Sequence, residues 1–212
     1  MMTHTLHREG SEESLRDDYV LVITGAKGYN KKGCAPRLRE MMRVVSKFTP
    51  INLGCMEVGN TGRGVPVSEI IRNAKDSDLV QVVFDDKERV IGVLRALKEA
   101  DQGISVVVSC NNDDIVEIVR RAGVGEMPHT SNLSLGFMGK VERAASEDER
   151  LITTMCGHHM VSKSLVGHHV KRIREGSTTP LEAAIDMSRQ CTCGAFNTVR
   201  AARILEELAN KE

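Results

Sequence analysis

The sequence predicts an α/β fold: a small, mostly parallel sheet covered by helices, followed by a helical, cysteine-containing C-terminal region. Three observations predict it. Residues 19–24, 79–84 and 104–109 are short, largely apolar runs without polar alternation, as expected of strands covered on both faces. Stretches with helical spacing stand between them on short connections, the pattern of strand–helix units. After Met155 only helical spacing remains.

The elements follow in order. Residues 1–18 carry two arginines against five acidic residues and almost nothing apolar, which reads as a disordered extension. The α/β domain then spans residues 19–150. Its first strand, from Tyr19 to Thr24, runs into a basic glycine loop, residues 25–33. Leu38, Met41, Met42 and Val45 mark one face of a helix over 36–47. A short strand starts at Pro50, residues 59–66 form a loop, and 67–74 form a short helix. After the strand at 79–84, Val90, Ile91, Leu94 and Leu97 give an apolar stripe to a helix over 87–100. The strand at 104–109 ends at Cys110, and Asn112-Asp113 can cap the helix that Gly123 stops. Residues 127–134 read as loop and 141–152 as helix. The helical region, 151–212, contains helices over 160–174, 181–188 and 195–209. Thr179, Pro180 and Glu182 mark the entry to the second of these.

Composition narrows the function. The 212 residues hold 29 basic and 29 acidic side chains, so bulk attraction to nucleic acid has no support. Four Phe, two Tyr and no Trp leave little to stack bases on. The start has no secretory pattern and no apolar run reaches membrane-span length, so a cytoplasmic protein is expected. In that compartment six cysteines are expected to be thiols or metal ligands rather than disulfides.

The sharpest motif is Cys156-Gly157-His158 with Cys191-Thr192-Cys193-Gly194. Both sit at breaks between helices. Two soft ligands one residue apart, beside glycine, can turn inward onto one metal or cluster, and thiolate suits iron–sulfur, zinc or copper(I). Buried core thiols and a redox dithiol are the alternatives. Iron–sulfur is preferred to zinc because the usual two-residue zinc spacing is missing. Cys34, Cys55 and Cys110 stand in loops or at strand ends. Each alone reads as structural; Cys34 and Cys110 are the candidates for a second ligand set. His168 and His169 read as a solvated helix face, since ten residues from His158-His159 leave them about 80° out of alignment. Residues 27–47 carry seven positive charges and one negative. Lys27, Lys31, Lys32 and Arg37, beside glycines and a helix start, are the candidates to hold an anion or an acidic partner.

Two resemblances add to this. From Cys156 to Leu208, Cys156-Gly157-His158, the turn at 174–179 and Gln190-Cys191-Thr192-Cys193-Gly194 resemble a bacterioferritin-associated-ferredoxin-type [2Fe–2S] domain. His158 stands where that family has cysteine, and the last pair has one spacer rather than two. In residues 19–124, the first strand and its glycine loop, Lys32-Gly33-Cys34, Gly62-Arg63-Gly64-Val65-Pro66 and Val106-Val107-Val108-Ser109-Cys110 are similar to the operon-C protein of methyl-coenzyme M reductase and related methanogenesis marker proteins. That family's cysteine-rich N-terminus has no counterpart here, because residues 1–33 contain no Cys. The resemblance implies an archaeal accessory or electron-transfer protein that carries an iron–sulfur cluster and has a protein partner, the reductase or a redox protein.

The expected function is therefore iron–sulfur binding through Cys156, His158, Cys191 and Cys193. Cys34 and Cys110 would serve a second or shared cluster at the interface of a homo-oligomer. Two other readings stand beside it: an α/β enzyme or binding protein for an anionic small molecule, with structural cysteines, and a zinc-stabilised interaction module.

Overall fold

The computed structural model describes residues 8–132 and 138–211. Five strands form one sheet: β1 (Tyr19–Thr24), β2 (Asn52–Cys55), β3 (Gly59–Asn60), β4 (Val80–Phe84) and β5 (Ser105–Ser109). Their order is β3-β2-β4-β1-β5. Every ladder is antiparallel, which corrects the mostly parallel sheet expected from the sequence.

The strand–helix alternation is real, but its units interleave. β1 and β2 both run antiparallel to β4, so they share a direction, and helix α2 (Ala35–Ser46) joins them. β4 and β5 both run antiparallel to β1, and helix α4 (Lys87–Ala100) joins them. Each strand–helix–strand unit is thus split by a strand of the other. Locally, such a unit looks the same whether its strands are adjacent or split.

Both faces of the sheet are covered, which explains the continuous apolar runs. Leu21, Ile23, Leu53, Val80, Val82 and Phe84 pack with residues of α2, α3 (Val67–Asn73), α4 and α5 (Asn112–Arg121), among them Leu38, Met42, Ile70 and Val90. Val20 and Val83 point the other way, onto Ile152, Met187, Phe196 and Leu205. That second layer is built from α6 (Glu147–Thr153), α7 (Lys163–Arg174), α8 (Pro180–Ser188) and α9 (Thr198–Asn210). The C-terminal helices therefore cover one face of the sheet. Thr179 caps α8 and Glu182 reaches back to the Thr179 backbone, a capping box with proline in the first turn.

Residues 8–18 depart from the unstructured extension read from composition; residues 1–7 of that expectation lie outside the described residues. The segment contains a single helical turn, α1 (Glu12–Leu15), and straps across the C-terminal layer. Its anchor is Asp18, whose carboxylate accepts from Arg8 at 2.6 and 2.7 Å, from Arg200 at 2.9 Å and from Asn197 at 3.0 Å. Arg8 also donates to the Ala195 carbonyl, and Arg200 donates to Ser14 Oγ and the Glu9 carbonyl. Composition marks this segment as poor in apolar groups; what orders it is a buried charge network whose other half lies 179 and 182 residues from Asp18 in sequence. The loop expected over 127–134 is irregular through Asn132, and Leu133 and Ser134 lie outside the described residues. No described helix is long and apolar enough to cross a membrane.

Candidate metal centre

The two cysteine motifs meet. Cys156 lies in the turn after α6, where the His159 amide donates to its carbonyl at 2.8 Å. Cys191 and Cys193 lie in the connection between α8 and α9. That connection is seated on the sheet. Asn60 Nδ2 donates to the carbonyls of Cys191 (2.8 Å) and Thr192 (3.1 Å), and Asn52 Nδ2 to that of Phe196 (3.4 Å). Gly194 makes the seat possible. Its φ is +86°, and a Cβ there would stand 2.8 Å from Asn60 Cβ and 3.2 Å from the Gly54 nitrogen.

Within this seat Cys191 Sγ is 3.8 Å from Cys193 Sγ, and Cys193 Sγ is 3.7 Å from His158 Nδ1. The Cys156 thiol lies near enough to Cys191 to influence its ionisation. All three cysteines are buried and unbridged, and His158 is half-buried. Two thiolates about 2.3 Å from one tetrahedral metal lie about 3.8 Å apart, and a thiolate and an imidazole about 3.6 Å apart, from standard zinc bond lengths. The observed pair spacings match both. As they stand, no three or more His, Cys, Asp or Glu side chains among the described residues close around a common point. The fit therefore rests on pair spacings and donor chemistry, and Cys156 would have to close on the other three.

The thiols are electrostatically unequal. The neighbouring Cys191 thiol, and then burial, raise the Cys156 thiol. Cys191 is drawn down by the neighbouring Cys156 thiol but pushed up more by Cys193 and burial, to about 11. The hydrogen bond shared with Cys191 lowers Cys193, against burial.

The other sequence candidates do not join this group. Cys34 and Cys55 belong to the core on the opposite face of the sheet, and Cys110 packs at its edge. Cys34 heads α2, with its sulfur 3.5 Å from the Asp76 carbonyl. Cys110 follows β5 near Asp114 and Lys87, and burial pushes its thiol up to about 12. Cys34 and Cys110 sit near opposite ends of β1, roughly 17 Å apart by strand rise. One chain does not bring them to a common ligand position.

The basic loop is also already engaged. The amides of Gly33 and Ala35 donate to Asp76 at 2.6 and 2.8 Å, so the protein's own carboxylate fills the anion position at the start of α2. Those backbone bonds hold Asp76 below the usual carboxylate range. Arg37 donates to the Asn30 carbonyl, while Lys27 and Lys32 are exposed and Lys31 is half-buried. His168 is exposed as expected, but His169 is buried and its Nε2 lies 3.1 Å from Asp186. Sequence reasoning missed Asn52 and Asn60. Their only signal is a polar residue at alternate positions beside Leu53 and Cys55, on strands whose other residues are apolar or glycine.

The chain matches no protein-family model, no curated protein and no solved structure.

Proposed function

We propose that this protein binds one tetrahedral metal ion through Cys156, His158, Cys191 and Cys193, and that the ion locks the α6–α7 and α8–α9 connections onto the sheet. The observation that carries the reading is the pair of spacings, 3.8 Å for sulfur to sulfur and 3.7 Å for sulfur to imidazole. An iron of a [2Fe–2S] cluster takes only two protein ligands, whereas a single ion can hold Cys191, Cys193 and His158 together, and Cys193 is at ligand spacing from both of the others. Three thiolates and one imidazole form a closed donor set with no open position, the character of a structural zinc site. When bound, the ion supplies cross-linking rather than reactivity. Cys156, Cys191 and Cys193 give up protons to it, and His158 lends a neutral nitrogen.

The zinc-stabilised module thus takes precedence over the iron–sulfur protein, and both are decided by one measurement. Protein purified without oxygen is assayed for zinc, iron and acid-labile sulfide. One zinc per chain, no visible absorbance, and loss of C-terminal helix on chelation are expected. Stoichiometric iron with sulfide and a visible band would replace the zinc reading by the cluster reading. A metal-free protein of unchanged stability that takes up neither would remove both. An accessory role beside methyl-coenzyme M reductase rests on the resemblance in residues 19–124 and is tested by co-purification with that enzyme.

A further inference from the structure

Gln81 occupies the middle of the sheet, and its side-chain amide has no hydrogen-bond partner among the described residues. It lies on β4, opposite Gly54 of β2 on one side and Val22 of β1 on the other. Val80, Val82 and Phe84 face the α2–α5 core, whereas Val83 faces the C-terminal layer. Alternation therefore turns Gln81 toward the C-terminal layer. Its exposure is 0 %, and neither Nε2 nor Oε1 has a hydrogen-bond partner. The contrast with its neighbours is informative. Asn52 and Asn60, on the same face, are both bonded to the connection that carries Cys191 and Cys193.

The location gives this orphan amide a use. Gly194 rests on Gly54, and Gly54 is the direct cross-strand neighbour of Gln81, one strand spacing of about 4.8 Å away. Cys193 is the residue before Gly194. A neutral thiol is a poor acceptor, but a metal-bound thiolate carries charge and free lone pairs in a dry site, and it gains strongly from an N–H donor. A buried amide without a partner, on the sheet face that seats the cysteine connection, is what such a donor looks like without metal.

We infer that Gln81 is a positioning residue for the metal site, its Nε2 donating to the metal-bound Cys193 thiolate. This rests on the metal reading above and adds a residue outside both cysteine motifs. In the metal-free protein the amide is a liability; on metal binding it acquires its partner.

The test uses the full chain, stripped of metal and titrated with Co²⁺ against a competing chelator, in wild type, Gln81→Met and Gln81→Asn. Expected for Gln81→Met is Co²⁺ affinity reduced about 10- to 100-fold, with a shifted thiolate-to-cobalt charge-transfer band. Its metal-free melting temperature should be equal to or above wild type, because an unpaired buried amide has been removed. Gln81→Asn keeps an amide but falls short of the sulfur, so it should lose affinity similarly; it also serves if Gln81→Met fails to fold. Wild-type affinity and an unmoved band in a folded variant would overturn the inference while leaving the metal site standing. Failure of the wild type itself to take up Co²⁺ or zinc would overturn both.

Discussion

Replacing Asp18 by Asn removes one charge and almost no volume from the centre of the strap network. Asp18 and Arg200 have side-chain exposures of 0 %, and Arg8 of 5 %. In the native protein one carboxylate takes bonds from two guanidinium groups and from Asn197. Burial already pulls the Arg200 pKa below its ordinary value, and Asp18 is the largest influence opposing that. An Asn at this position offers one acceptor where there were two. Its amide hydrogens must then face a guanidinium or the Asn197 amide, donor against donor. Two buried cations are left without a counter-ion, and breaking a buried pair in this way costs about 3–5 kcal/mol. At about 2–4 °C per kcal/mol for a chain of this size, the melting temperature should fall by roughly 6–20 °C. Thermal unfolding followed by circular dichroism reads it directly, and limited proteolysis should show early cleavage within residues 8–18. A melting temperature within about 2 °C of wild type would refute the argument that this network holds the strap. The concerted replacement of Arg8, Asp18 and Arg200 by apolar residues of similar volume should recover much of the loss, because no charge is then stranded.

Other expectations follow from the same structure. Cys34→Ala and Cys110→Ala should leave metal stoichiometry unchanged, whereas Cys193→Ser should lower it; metal analysis distinguishes the two classes. Gly194→Ala places a Cβ against Asn60 at φ +86°. The left-handed backbone alone costs about 1–2 kcal/mol, and the variant should also bind metal more weakly in a chelator competition. Metal affinity should rise with pH, because Cys156 and Cys191 have raised thiol pKa values and must release protons to bind; Co²⁺ titrations at pH 6.5 and 8 test the sign. His169 is driven below its ordinary 6.5 by burial, with Asp186 opposing and His168 and Arg172 adding to the depression. The unfolded chain then binds the proton more readily. The stability this contributes is present above pH 6.5 and is lost as pH falls through the depressed folded value. His169→Gln should flatten that part of the pH–stability curve.

Periodicity carried most of the element boundaries, because apolar spacing and caps act within a few residues. Tyr19–Thr24, the helix at Lys87–Ala100 and the capped entry at Pro180 are legible one by one. The cysteine–glycine pairs were legible as local motifs, and the structure brings Cys191, Cys193 and His158 together. Two expectations failed where the answer depends on distant partners. Residues 8–18 look unstructured until Arg200 and Asn197 are brought to Asp18, and His169 looks solvated until Asp186 and the helix layer cover it.

By itself, then, the sequence determined most strands and helices, though not α1 or the short β3 in what reads as a loop, and which sulfurs stand beside glycine. It could not determine strand direction, because the same strand–helix–strand pattern fits adjacent parallel strands and the interleaved antiparallel sheet observed. Only the tertiary structure decided that pairing. With it came the separation of the cysteines, because the sheet places Cys34 and Cys55 in the core on one face and Cys156, Cys191 and Cys193 on the other. The physical reason is range: propensity and periodicity act over a turn or a strand, whereas register and the side of a sheet are set by burial summed over the whole chain.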